Sequence, residues 1–474
     1  MKSVSLNTNS FIILIEVHMN SASVRGSWGS RIGFIFAVAG SAVGLANIWR
    51  FPYLVGKHGG AAFIFVYILS LLLIGFPVFI AEILIGRATQ TSPSGAFEKL
   101  GRSKIWSWPG KMTVLTGFIV SSFYSAVAGW IFGYFIEAVK GNLSSFASTE
   151  AVALHHTSLM QNPLWGVSFH FFFILICSTV LYLGVRGGIE RWNKFLMPLL
   201  FVVLILLVLK GLTLPNAQDG LRFLFSPDWS LLTPAVLLTA LGQAFFTLSV
   251  GQGTMVTYGS YLSKEENIVK SCVPILLMDT FVSIIAAMVI FTIAFSAGVE
   301  PSSGPALLFH TLPWVLSQIP GGYLMSVLFF LIVVLAALTS EISAMEPTIA
   351  YLIDEKGWNR HLAVWACGIG AFLLGIPSAL SYSLLKNTTF FGLPFVDFIE
   401  SICGHILIPA GGFFALILLL GRWGVWNALS ELKVGSHEFF KRYPWILSYF
   451  WFCFKVSAPI LMAIIFLNSL LMFF

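Results

Sequence analysis

Ala39-Gly40-Ser41-Ala42-Val43-Gly44-Leu45-Ala46-Asn47-Ile48-Trp49-Arg50-Phe51-Pro52 lies in an apolar run long enough to cross a bilayer, yet it carries two glycines, an asparagine, an arginine and a proline. In hydrocarbon an unpaired backbone polar group costs several kcal/mol, so helix broken at membrane depth persists only where it is packed in protein or lines a polar cavity. The stretch therefore points to a site. Carbonyls released by unwinding face a cation, and N–H groups at the start of a half-helix face an anion.

The chain around it is built for lipid. Of its 474 residues 57% are hydrophobic and 10% charged, against about a quarter charged in soluble domains. Polar interruptions are only loop-sized, which predicts one membrane-embedded domain over 28–474 behind an N-terminal tail of 1–27. In that tail the apolar patch Phe11–Ile15, interrupted by Glu16, is too short to span, and Met19 is an alternative start. The net charge of +6 comes from short basic clusters between apolar runs, the pattern of topology signals rather than of nucleic-acid binding. Cys177, Cys272, Cys367, Cys403 and Cys453 sit in apolar stretches without metal-type spacing and read as small core residues with no disulfide.

Apolar windows of about 20 residues or more fall near 31–56, 61–86, 112–139, 166–185, 193–214, 233–260, 268–298, 323–353, 361–380, 396–421 and 445–473. They predict eleven spans. An inside N-terminus places Arg87, Lys99, Arg102, Lys104, Lys111, the Arg186/Arg191/Lys194 group, Arg422, Lys433, Lys441 and Arg442 in the cytoplasm and leaves Lys140, Arg222 and Lys386 outside. The outer loop 140–165 is Ser-rich, and its adjacent His155 and His156 read as incidental rather than metal-binding. The loop 299–322, with Pro301, Pro305, Pro313, Pro320 and Gly321-Gly322, suits a re-entrant hairpin acting as a lid.

Span six repeats the oddity of span one. Gly242-Gln243-Ala244-Phe245-Phe246-Thr247-Leu248-Ser249-Val250-Gly251-Gln252-Gly253 again puts glycines and polar side chains at mid-membrane. Interrupted helices at corresponding positions predict an inverted repeat, about 31–214 and 233–421, with the binding site at its interface and a peripheral helix at 445–473. Span seven carries Asp279, and an ionisable group inside a span marks a functional site by default. Span eight carries Leu338-Thr339-Ser340-Glu341. Hydroxyls on a membrane helix ordinarily bond back to their own turn, but two broken helices nearby weaken that reading. No nucleophile–base pair or His-Glu-x-x-His set is present, which argues against an intramembrane enzyme.

Gly40–Pro52, Phe245-Phe246-Thr247-Leu248-Ser249 and Leu338-Thr339-Ser340, in this order and on these spans, resemble the neurotransmitter:sodium symporters, specifically their bacterial amino-acid transporting members. The likeness runs from about Trp28 through span eleven. It implies an all-α polytopic protein of the LeuT fold in the inner membrane of a bacterium, its N-terminus cytoplasmic, moving an amino acid with sodium by alternating access. One sodium would meet the Ala42 and Thr247 carbonyls, the Asn47, Thr247 and Asp279 side chains and the substrate carboxylate. A second would meet the carbonyls of Gly40, Val43 and Ala336 and the hydroxyls of Thr339 and Ser340. The substrate carboxylate would meet the N–H groups of Leu45 and Ala46 and the Tyr124 hydroxyl; its ammonium would meet carbonyls at Ala42, Phe246 and Thr247 and the Ser249 hydroxyl. Gly44 stands where monoamine carriers have an aspartate, which favours an amino acid.

The resemblance also implies a side-chain pocket of Val120, Tyr124, Phe246, Ser249, Gln252, Ser340 and Ala344. Ala344 and Gln252 replace bulkier apolar residues, which predicts a substrate larger or more polar than leucine. Arg50 and Asp397 would form the outer gate, with Tyr124 and Phe246 as a lid, and Arg25, Trp28, Tyr261 and Asp354 would close the cytoplasmic side. Tyr67, Gln243, Thr247 and Ser283 match the chloride ligands of chloride-dependent relatives. Asp279, however, replaces the usual asparagine, and a fixed carboxylate can neutralise sodium where a chloride beside it would be repelled. Chloride-independent transport is expected. A proton-coupled carrier of the same fold and a non-transporting amino-acid sensor are the alternatives. Ala46 replaces a common glycine, and Glu341 and Glu346 are less expected than neutral residues.

Overall fold

In the computed structural model residues 26–298 and 307–473 are described. Helix α1 (Arg31–Ala42) begins at Ser30, whose hydroxyl accepts the Gly33 N–H, and stops where Val43 turns extended at φ −75°, ψ 101°. Its continuation α2 (Ala46–Lys57) departs at 54°. The first turn of α2 is wide, with the Phe51 N–H reaching the Ala46 carbonyl. Pro52 has no N–H to give, and a wider turn absorbs the missing bond.

The remaining long helices follow in order: α3 (Ala61–Thr89), α4 (Lys104–Val139), α5 (Pro163–Tyr182), α6 (Val185–Gly211), and, beyond the second break, α9 (Ile268–Ser296), α10 (Gly322–Lys356), α11 (Arg360–Ala379), α12 (Phe395–Trp423) and α13 (Trp445–Asn468). Among the described residues these nine are long and apolar enough to cross a membrane, and the bent α1/α2 pair makes a tenth span. The predicted window at 233–260 holds α7 (Pro234–Phe246) and α8 (Thr254–Ser260), with 247–253 unwound between them. At 1.5 Å per residue α7 rises only about 20 Å, short of a hydrocarbon core of about 30 Å. The protein is all-helical, as its sequence predicts.

The two breaks lie side by side: the Ser249 hydroxyl donates to the carbonyl of Ser41 at the end of α1 at 2.8 Å, and Gln243 Nε2 of α7 donates to the carbonyl of Ala46 at the start of α2 at 3.4 Å. Close helix approach makes this possible. A Cβ on Gly86 of α3 would stand 1.9 Å from the Val256 carbonyl of α8, and one on Gly411 of α12 would stand 1.9 Å from the Gly251 carbonyl. Small residues at such crossings let backbones touch where no hydrophobic force separates helix from lipid. Within the break Ser249 (φ 53°), Gly251 (φ 83°) and Gly253 (φ 79°) are left-handed.

The loop at 140–165 contains a helix, Thr149–Met160, capped by Ser148. There His156 is structural: Nδ1 lies 2.7 Å from the Tyr134 hydroxyl and the ring stacks on Phe309. Burial, then the neighbouring His310 and His155 charges, push it down to about 4. In the Pro-rich loop, Leu312–Gln318 is helical and carries Pro313, while Pro301 and Pro305 lie outside the described residues.

The α3/α8 crossing gives a direct test. Gly86→Val drives a branched side chain into the Val256 carbonyl, an overpacking of about 1–3 kcal/mol or more; a lower melting temperature and reduced yield of monodisperse protein in detergent are expected, whereas Gly187→Val, with nothing within 4 Å of its Cβ, leaves both unchanged.

Candidate functional site

A cavity of about 120 Å³ opens where the break of span one and the 247–253 segment meet α4, α10 and α12. Ala42, Gly44, Leu45, Ala46, Val120, Tyr124, Phe246, Thr247, Ser249, Gln252, Ser340 and Ala344, the residues assigned to substrate from sequence, all line it. The wall also takes in Phe123, Val127, Val250, Glu400, Cys403 and Ile408, which sequence reasoning passed over. A Cβ on Gly44 would lie 2.6 Å from the Ser340 hydroxyl and 3.4 Å from that of Tyr124, so any side chain there intrudes on the volume. The Tyr124 hydroxyl is buried without a hydrogen-bond partner among the described residues, an unspent donor at the cavity wall.

Beside the cavity an oxygen cluster forms around Asp279. Its Oδ1 accepts from Asn47 Nδ2 at 2.7 Å and from Thr247 Oγ1 at 2.9 Å, and its Oδ2 accepts from the Tyr67 hydroxyl at 3.3 Å. Asn47 Nδ2 also reaches Ser283 Oγ at 2.8 Å, while Asn47 Oδ1 accepts the Gly44 N–H at 3.0 Å. Asn47, Tyr67, Thr247, Asp279 and Ser283 are buried. Among the described residues the carboxylate meets only neutral donors, and a buried charge calls for an opposite charge; oxygens converging at an unwound backbone suit a small hard cation. Tyr67, Thr247 and Ser283, the anion-site equivalents, are thus turned toward Asp279 and Asn47. Gln243 gives its amide to Ala46, and its Oε1 has no partner among the described residues.

A second oxygen cluster joins span one to α10. Ser340 Oγ lies 3.4 Å from the Gly40 carbonyl and 3.3 Å from those of Ser41 and Val43. The Ser41 carbonyl also accepts the Ser249 hydroxyl, and the single Ser340 hydrogen cannot serve the Gly40 and Val43 carbonyls together. Thr339 behaves differently: its hydroxyl bonds back to the Leu335 and Ala336 carbonyls at 3.2 and 3.1 Å. Only glycine fits at position 40, where a Cβ would approach Asn193 Oδ1 to 2.1 Å and Thr339 Cβ to 3.1 Å.

On one side of the cavity the chain is sealed. Trp28 Nε1 donates to the Tyr258 carbonyl at 3.0 Å, and its ring meets Tyr258 and Tyr261 edge-on. The Tyr261 hydroxyl donates to Glu346 at 2.7 Å, and Arg360 grips Glu346 through two 2.8 Å bonds. Arg360 is a partner that sequence reasoning missed, because it sits at the edge of a predicted window and reads as a loop-end cation. Asp354 accepts the Ser92 N–H at 2.6 Å; Arg25 lies outside the described residues. Glu341 is buried with neither oxygen hydrogen-bonded among the described residues, and nothing in the structure explains it.

The opposite side holds a second cavity of about 270 Å³, walled by Arg50, Phe246, Asp397, Glu400 and His405 among others. The expected Arg50–Asp397 contact is not made among the described residues. Asp397 accepts from the Tyr382 hydroxyl at 3.3 Å, Arg50 lies 5.0 Å over the Phe246 ring, and Glu400, one turn on from Asp397, shares both cavities with Arg50.

Removing one partner of a buried ion pair strands the other at a cost of about 3–5 kcal/mol, whereas apolar replacement of both is often neutral. Arg360→Met is expected to lower thermal stability in detergent sharply, and adding Glu346→Met is expected to recover most of the loss.

Residues 25–156 and 162–474 match the Sodium:neurotransmitter symporter family. An uncharacterized sodium-dependent transporter of Bacillus subtilis, YhdH, is 38% identical over 93% of this chain and 97% of its own length. One from Haemophilus influenzae is 35% identical over 94% and 98%, and the sodium- and chloride-dependent taurine transporter of Bos taurus is 26% identical over 94% and 78%. The crystal structure of MhsT in complex with L-phenylalanine superposes with a TM-score of 0.84 at 40% identity, covering 94% of this chain and all of that one.

Proposed function

The chain belongs to the sodium:neurotransmitter symporter family, membrane transporters rather than enzymes, and we propose that it imports an amino acid with sodium, independently of chloride, across a bacterial plasma membrane in which its N-terminus is cytoplasmic. The observation that carries this is the Asp279 cluster: a buried carboxylate against the substrate cavity, reached by Asn47 from the first turn of α2 and by Thr247 from the second break.

In this reading sodium at the first cluster takes the Asn47, Thr247 and Asp279 oxygens with the Ala42 carbonyl, and the substrate's carboxylate completes the set. Ion and substrate then raise each other's affinity by one shared coupling energy. The carboxylate lies at the N-terminus of α2, by the Leu45 and Ala46 N–H groups and the Tyr124 hydroxyl, where the helix dipole favours an anion. Gly44 leaves room for the amino-acid backbone. A second sodium lies among the carbonyls of Gly40, Val43 and Ala336 and the Thr339 and Ser340 hydroxyls, for which Thr339 has to turn from its own helix. The Trp28, Tyr261 and Glu346 side faces the cytoplasm and the Arg50/Glu400 side faces outward, so the described arrangement is closed inside.

Chloride independence is supported by the Tyr67 hydroxyl, which donates to Asp279 rather than facing an anion site. Uptake into proteoliposomes is expected to require sodium and to survive replacement of chloride by gluconate. Asp279→Asn removes the fixed charge, and its uptake in gluconate is expected to fall about tenfold or more and to return with chloride. Strong chloride dependence of the unmodified protein would refute this part of the reading.

A further inference from the structure

We propose that Gln252 reads a hydrogen-bonding group at the tip of the substrate's side chain, and that the preferred substrate is therefore an aromatic amino acid carrying one, tyrosine or tryptophan, ahead of phenylalanine. The inference rests on the amino-acid reading above and names the class within it.

Gln252 ends the unwound segment, just before the left-handed Gly253 and the start of α8. Its backbone is pinned against α4, where a Cβ on Gly117 would come within 3.0 Å of the Gln252 carbonyl. The residue is 8% exposed, it lines the cavity, and its side-chain amide makes no hydrogen bond among the described residues. Of the other hydroxyls on the wall, Thr247 donates to Asp279, Ser249 to the Ser41 carbonyl, and Ser340 faces the span-one carbonyls, while the Ser41 hydroxyl, beside Ala42 at the end assigned to the substrate backbone, has no partner among the described residues. Tyr124 sits by Gly44, at the end assigned to the substrate backbone.

Around Gln252 the wall offers the apolar side chains of Val120, Phe123, Val127, Val250, Ala344 and Ile408, and its charged pair, Arg50 and Glu400, is shared with the second cavity. A substrate side chain must therefore offer an apolar body with a polar tip. A purely apolar ring pressed on Gln252 would leave two N–H donors and a carbonyl unpaired in a closed site. Sites built to bond a substrate's hydroxyl or N–H reject the analogue that lacks it far more strongly than they reject a missing methylene. An aromatic body fits the space freed at Ala344, and the L-phenylalanine complex of MhsT shows that a similar protein accepts such a ring.

Competition binding to the purified full-length protein in sodium tests this with L-tyrosine, L-tryptophan, L-phenylalanine and L-leucine as probes. The unmodified protein is expected to bind tyrosine or tryptophan about tenfold or more tightly than phenylalanine, a difference of about 1.4 kcal/mol. Gln252→Met, of similar length but without the amide, is expected to collapse that ratio by weakening tyrosine and tryptophan binding more than phenylalanine binding. Equal or tighter binding of phenylalanine by the unmodified protein overturns the proposal whatever the variant does, as does an unchanged ratio in Gln252→Met. Binding of none of the four overturns this inference, and failure of all twenty amino acids to bind in sodium overturns the amino-acid reading with it.

Discussion

The Asp279 carboxylate is the constraint around which the interior is arranged. A full negative charge buried among helices is tolerable only with its lone pairs occupied and a positive charge close by. The chain supplies the first requirement from three directions: Tyr67 on α3, Asn47 on the broken span one, and Thr247 at the second break. Among the described residues no cationic side chain bonds to the carboxylate, and Arg50, at the other face of the cavity, lies over Phe246. The fold thus presents a prepared deficit of positive charge exactly where two helices have come apart, and a small cation is the simplest group to meet it.

Keeping those breaks in place demands close packing. The glycines at 86, 259 and 411 let α3, α8 and α12 press backbone to backbone around the second break, and Glu82 accepts the Gly251 N–H at 2.8 Å inside it. Backbone groups that lose their helical partners therefore find replacements in neighbouring spans, as irregular backbone at membrane depth must. Asn47 shows the same economy: one side chain accepts the Gly44 N–H freed at the break and donates to the carboxylate.

This division explains what can be read from sequence. The broken helices are visible because glycine, asparagine and glutamine in otherwise apolar windows have no cheap alternative explanation in lipid, and Asp279 stands out for the same reason. Short-range chemistry is encoded locally. Side-chain partnerships are not: Asp397 and Glu400 are one turn apart on α12, so spacing puts both on one face, and only the packing of α12 in three dimensions decides that Glu400 shares the first cavity with Arg50 while Asp397 turns to Tyr382. Arg360 is hidden similarly, since its role depends on reaching back from the start of α11 to Glu346 on α10. The helix at Thr149–Met160 is missed because its pattern is weakly amphipathic and it follows the serines Ser144, Ser145 and Ser148, and it is held by contacts such as His156 with Tyr134 and Phe309.

The two sides of the cavity are held by different physics, and this ties the ion clusters to motion. Below the site, Trp28, Tyr258, Tyr261, Glu346 and Arg360 make a directional, buried network that opens only by breaking several bonds together. Above it, Arg50 rests on an aromatic face and a large cavity remains. The Ser340 cluster lies between, linking the Gly40 and Val43 carbonyls of span one to α10, the helix that also carries Glu346. A cation held by those oxygens would fasten span one to α10 and so favour the sealed state. Opening that seal must, by reciprocity, weaken the same cation by the same free energy. The linkage needs no separate relay, because the ion's ligands and the seal share two helices.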